Sequence, residues 1–144
     1  MPTDEAARTV HVVAPPDEVL VTIRAVEHQS EWVPEIRTSE VLERDDEGRP
    51  ALARFTASTP VGTDEYTLSY RHRPDGMAWS LVKGKLQTGQ EADYAVVASP
   101  GGGSDVTFSL SISHNLPLPG FLRRKVITGL VQSTTDGLAK RVGS

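Results

Sequence analysis

From Arg37 to Leu116 the apolar residues recur at every second position. The runs are Phe55 and Ala57; Tyr66, Leu68 and Tyr70; Met77, Trp79 and Leu81; Tyr94 and Val96; and Val106, Phe108, Leu110 and Ile112. A two-residue period puts successive side chains on opposite faces of an extended chain. Turn signals stand between the runs: Asp45-Asp46-Glu47-Gly48, Thr59-Pro60-Val61-Gly62, Pro74-Asp75-Gly76, Lys83-Gly84-Lys85, and Ser99 through Gly103. About six short strands joined in this way describe an antiparallel meander with one apolar face.

That face has to be covered. Ahead of the meander, the β-branched stretch Arg8–Ala14 predicts a further strand. A helix is expected from Pro16 to about Val26, with proline tolerated in its first turn and Asp17 and Glu18 at the positive end of its dipole. Ser30 through Val33 fits a short second helix stopped before Pro34. Pro119 to about Val142 reads as a long helix, with Val126, Ile127, Leu130, Val131, Thr134 and Leu138 on one arc. Only this last helix is long enough to cover the sheet, and a twisted sheet of this extent curls. The expected architecture is therefore α+β, one domain over residues 1–144: a curved antiparallel sheet of about seven strands around a long C-terminal helix, with two short helices after the first strand.

A bent sheet and a straight helix do not meet flush along their length. The mismatch is either filled by side chains or left as a cavity. Tyr66, Tyr70, Tyr94 and Trp79 carry polar tips on the inward face, and buried phenols and indoles need partners that a ligand or water supplies. Gly129, Ser133 and Gly137 follow one another at four-residue spacing in the long helix. Interior glycine costs about 0.8–1 kcal/mol relative to alanine. It marks either space kept beside the apolar arc or a close backbone contact.

The order of elements, and the strings VHVVAPPDEVLVTI, HQSEWVPEI with its following VLERDDEGRP, DEYTLSYRHRPDGMAWSLV and LPLPGFLRRK, resemble the START-like helix-grip superfamily (SRPBCC) in its bacterial polyketide cyclase/dehydrase branch. The resemblance implies a cavity for a small hydrophobic molecule, lipid, quinone or polyketide-like, between sheet and C-terminal helix. Its expected lining is Phe55, Tyr66, Leu68, Tyr70, Trp79, Leu81, Tyr94, Phe108 and Leu110 from the sheet, with Val126, Leu130 and Ser133 from the helix. Trp32 falls where polyketide aromatases of the superfamily place a tryptophan near the pocket mouth. Those aromatases also carry a cavity-facing serine and, two residues later, an arginine, which Ser69 and Arg71 resemble; the tryptophan that precedes that serine by two is here Thr67. In that role Arg71 would stabilise an enolate or alkoxide while the Ser69 hydroxyl or a water moves protons. The alternation argues the other way: Tyr66, Leu68 and Tyr70 share one face, so Ser69 and Arg71 share the opposite one unless a β-bulge reverses the parity.

Other chemistries have little footing. With no cysteine there is no disulfide framework, Cys-ligated zinc or thiol nucleophile. His11, His28, His72 and His114 show no metal-ligand spacing, HExxH and GxSxG motifs are missing, and Gly101-Gly102-Gly103 lacks the strand-to-helix context of a phosphate loop. No metal or cofactor is expected. A net charge of −4 argues against nucleic acid as a partner. No apolar run approaches a bilayer span, and MPTDEAARTV has no apolar signal core, so a cytoplasmic location is expected. The apolar segment Leu116–Leu122 runs into Arg123-Arg124-Lys125. Cations there oppose the helix dipole, and they either pair with acids on neighbouring loops or form a basic collar for transient contact with an anionic membrane or a carrier protein. Three functions fit: a binding module for a hydrophobic molecule, a polyketide aromatase/cyclase, and a protein-interaction module with a vestigial cavity.

Overall fold

The computed structural model describes residues 3–115 and 117–143. Strand β1 (Thr3–Val12) is followed by helix α1 (Pro16–Arg24) and a short 3-10 helix (Val26–Glu31). Six strands come next: β2 (Ile36–Arg44), β3 (Pro50–Thr59), β4 (Gly62–Arg73), β5 (Gly76–Gly84), β6 (Gln87–Ala98) and β7 (Ser104–His114). Helix α2 (Gly120–Arg141) closes the chain. The seven strands form one antiparallel sheet in the order β1-β7-β6-β5-β4-β3-β2. Strands β2 to β7 are the meander that the alternation predicts, and β1 adds to its far edge.

β1 begins earlier than its β-branched stretch, at Thr3, because it pairs with β7 along its whole length, from Thr3 opposite Ser113 to Val12 opposite Ser104. Its first half is hidden from hydropathy because two polar side chains, Asp4 and Arg8, turn towards α2. Arg8 Nη1 donates to Thr135 Oγ1 at 2.9 Å and to Asp136 Oδ1 at 2.8 Å, both on α2. The two early helices also differ in detail. The first ends at Arg24, and the second is a 3-10 segment that starts at Val26.

The sheet is strongly bent. α2 lies chiefly against β1 and β7, yet its Val126 and Leu130 face the same cleft as Ala57 on β3 and Tyr66 on β4. Five strand spacings separate β1 from β3, about 24 Å in a flat sheet. The layer therefore curls round the helix to bring both ends to it. The buried stripe of α2 is Ile127, Val131, Thr134, Thr135 and Leu138. Val126 and Leu130, expected on that stripe, sit beside it: Val126 is exposed and Leu130 half-buried. Among the described residues no helix is long and apolar enough to cross a membrane.

The deep interior is solid with rings. Trp79 lies 5.7 Å from Tyr70, 5.7 Å from Tyr94 and 5.8 Å from Phe108, and Tyr94 stacks on Phe108 at 4.5 Å. Phe55 stacks on Tyr66 at 5.5 Å. These distances are those of favourable offset and tilted ring pairs.

Candidate functional site

Beyond the ring cluster, the sheet and α2 separate around a cleft of about 440 Å³. Tyr66, Leu86, Ile112, Val126, Ile127 and Leu130 supply its apolar surface. Gly129 opens onto it, and a Cβ built there meets nothing within 4 Å. Gly137 has the other purpose open to a helical glycine. A Cβ there would lie 1.9 Å from the backbone oxygen of Trp32, so this glycine lets the segment after the 3-10 helix press against α2.

Two polar clusters face the cleft. One belongs to β4 and β6. Asp64 is 3% exposed, and its carboxylate accepts the Leu86 N–H at 2.8 Å and the Gln87 side-chain N–H at 2.9 Å. Gln87 in turn accepts from Gln90 at 2.7 Å, and Gln90 accepts from the Trp79 indole at 2.7 Å. A buried relay thus runs from the ring cluster to the cleft wall. The other cluster lies where β1, β7 and α2 meet. Asp4 accepts from Arg123 Nε at 3.1 Å, with His114 Nε2 at 3.7 Å from the same oxygen. Arg123 Nη1 also donates to the Leu118 carbonyl at 3.1 Å. The first cation of the basic collar is therefore folded back onto a buried acid, which offsets its unfavourable place in the first turn of α2. Arg124 and Lys125 remain exposed, next to Phe121, which is 69% exposed.

Of the residues expected to line a cavity, Tyr66, Val126 and Leu130 do so. Phe55, Leu68, Tyr70, Trp79, Tyr94, Phe108 and Leu110 are buried core, and Leu81 packs at its margin. The rings are large enough to fill the space they were expected to surround. Burial raises the Tyr70 phenol well above its usual range, and nearby Tyr66 and Tyr94 push it the same way; burial does the same to Tyr94. Trp32 packs over Gly137, with its carbonyl at the helix, and borders a separate shallow depression. Ser133 stands behind the cleft wall, donating to Glu35 at 2.8 Å. Ser69 and Arg71 lie on the outer face of the sheet. Arg71 is exposed and donates to Ser80 Oγ at 2.9 Å. The strand irregularity between β4 and β5 falls at Thr67/Leu68, but β4 keeps its own alternation, with Tyr66, Leu68 and Tyr70 all inward.

Asp4, Asp64, Gln87, Gln90, His114 and Arg123 were not anticipated as site residues. Parity offered a signal for three of them: Asp64 is in phase with Tyr66, His114 with Leu110 and Ile112, and Asp4 with Ala6. Gln87 and Gln90 are three apart and yet both buried, because the β6–β7 register shifts between Gln87 and Gly89. Strict alternation separates them.

The family model described as polyketide cyclase/dehydrase and lipid transport matches residues 3–143. No protein of curated function matches the sequence significantly. Among solved structures, a START superfamily protein from Mycobacterium smegmatis superposes with a TM-score of 0.87 at 22% identity, covering 96% of each chain. The Zhui aromatase/cyclase from a Streptomyces species gives 0.77 at 13% identity over 98% of this chain and 92% of its own. A STAR-related lipid transfer protein from Xanthomonas axonopodis gives 0.74 at 17% identity over 97% of this chain and 86% of its own. At these identities the three share the fold of this chain.

Proposed function

The chain belongs to the polyketide cyclase/dehydrase and lipid-transport family, and we propose that it binds a small, largely apolar molecule in the cleft between α2 and the β3–β4–β6 end of the sheet. The observation that carries this reading is the cleft itself. Its volume of about 440 Å³ falls within the roughly 300–1,000 Å³ of small-molecule sites, and an apolar lining with a few convergent polar groups is what such sites present. Loading is proposed at the rim, where Leu118, Phe121 and Val126 stand with Arg124 and Lys125. An apolar, basic rim suits an anionic membrane or an acidic carrier protein.

Native mass spectrometry of protein purified without denaturation is expected to show a retained small molecule. Fatty acids, quinones and polyaromatic dyes are the titrants to follow it with. Binding no better than millimolar across all three, with no retained species, ends this reading. A second test uses Gly129. Leucine in its place gains up to about 0.8 kcal/mol of helix propensity and projects into the cleft. The expected Gly129→Leu protein has a higher Tm and at least roughly ten-fold weaker dye binding, a difference of about 1.4 kcal/mol. Tighter or unchanged dye binding places the ligand elsewhere.

An aldol cyclase working through Ser69 and Arg71 finds no support in this geometry, because both side chains lie outside the cleft. A protein-interaction module with a vestigial cavity is disfavoured by the cleft's size.

A further inference from the structure

The polar wall of the cleft has a direction. An indole N–H only donates, so the 2.7 Å bond from Trp79 obliges Gln90 to present its oxygen. The Gln90 amide nitrogen then faces Gln87 Oε1, and the Gln87 nitrogen faces Asp64 Oδ2. Every link donates towards Asp64. A carboxylate has about four acceptor positions, and the protein fills two of them, from Leu86 and Gln87. Among the described residues no Lys, Arg or His lies within ion-pair distance of it. Asp64 thus ends the relay as an acceptor with capacity left over, and it lines the cleft.

Tyr66 stands two residues on along β4, about 7 Å away at the usual strand rise, and lines the same cleft. It is 8% exposed, and among the described residues its hydroxyl makes no hydrogen bond. The Tyr66 oxygen is not one of the fully enclosed, unpartnered polar atoms of the interior, as that of Tyr94 is, so it stays within reach of a molecule in the cleft. Burial, and then the charge of Asp64, raise its phenol well above the usual range. It therefore stays protonated at neutral pH and is available as a donor.

We propose that Asp64 and Tyr66 are the specificity-determining pair of the cleft, selecting an apolar molecule that carries a hydroxyl for Asp64 to accept and a carbonyl oxygen for Tyr66 to bond. This rests on the ligand-binding reading above and adds to it the chemical class of ligand: a hydroxylated ketone or enol on a hydrocarbon frame, in preference to a plain hydrocarbon. Gln87, Gln90 and Trp79 are positioning residues that hold Asp64 in its acceptor orientation.

Three naphthalenes of similar size test the pair: 2-naphthol brings a donor, 2-acetonaphthone an acceptor, and 2-methylnaphthalene neither. Wild-type protein is expected to bind each of the first two about ten-fold more tightly than the third, equivalent to one well-made hydrogen bond. The double variant Asp64→Asn/Gln87→Glu keeps every link of the relay and its charge, but moves the charge one residue back and puts an amide at position 64. It is expected to lose the naphthol preference and keep the acetonaphthone preference. Tyr66→Phe retains the ring stacked on Phe55 and is expected to do the reverse. Equal binding of all three by the wild type overturns the proposal while leaving the cleft as a ligand site. So does a naphthol preference that survives the double substitution, or an acetonaphthone preference that survives Tyr66→Phe. If none of the three binds, the ligand-binding reading falls as well.

Discussion

Trp79→Ala is expected to destabilise the protein by about 3–5 kcal/mol, the range found when a large buried aromatic is truncated. Trp79 is 4% exposed and touches three other rings. Alanine removes those contacts and leaves a hole among Tyr70, Tyr94 and Phe108 that the sheet they stand on cannot readily close. It also strips Gln90 of its donor. For a chain of this length the loss corresponds to a fall in Tm on the order of 10 °C. Urea denaturation followed by tyrosine fluorescence measures it directly. A loss under 1 kcal/mol means the ring cluster is not the mechanical centre of the fold. Because Trp79 starts the relay, the same variant also frees Gln90 to rotate, so Asp64 loses its fixed orientation at the cleft.

Gly137→Ala is the second large effect. Alanine is intrinsically the better helix former by about 1 kcal/mol, so propensity alone predicts a stabilised protein. The structure predicts the opposite. The added methyl lies 1.9 Å from a backbone oxygen, that of Trp32, and a main-chain carbonyl has no rotamer by which to move aside. Either α2 shifts or the segment after the 3-10 helix lifts away with Trp32. Overpacking of this kind costs typically about 1–3 kcal/mol. A denaturation midpoint equal to or above that of the wild type contradicts the close approach. Set beside Gly129→Leu, the comparison is sharp: two glycines eight residues apart in one helix respond with opposite signs.

That pair also shows where sequence reading stops. Gly129 and Gly137 are equivalent in a periodicity analysis, and only what lies across from each decides between an open wall and a tight crossing. The strands were legible because alternation records which face is buried, and that rule is local. The same alternation sets Ser69 and Arg71 opposite Tyr66, Leu68 and Tyr70, and the structure has them facing outward. The position of the cleft was not legible. Rings such as Trp79 and Phe108 look alike in sequence whether they surround a hollow or fill one, since the difference lies in how far apart the walls stand. The polar wall escaped for a second reason. Gln87 and Gln90 reach the same face only through a break in pairing, and Asp4 and Arg8 turn inward to meet α2, against the expectation that charge faces water. Buried polar groups carry no hydropathy signal, and here they sit closest to the proposed chemistry.

The pairing of β1 with β7 has a consequence for how the molecule is made. Among the described residues β1 finds its strand partner about a hundred positions later, at Ser104–Ser113, and the helix that packs on it comes later still. β1 lacks both contacts until β7 and α2 have been made. Such distant contacts slow folding and lengthen the time that sticky, half-finished β-structure is exposed to other chains. The cleft draws Asp4 from β1, Ile112 and His114 from β7 and Leu130 from α2, so its shape depends on that long-range seam being closed.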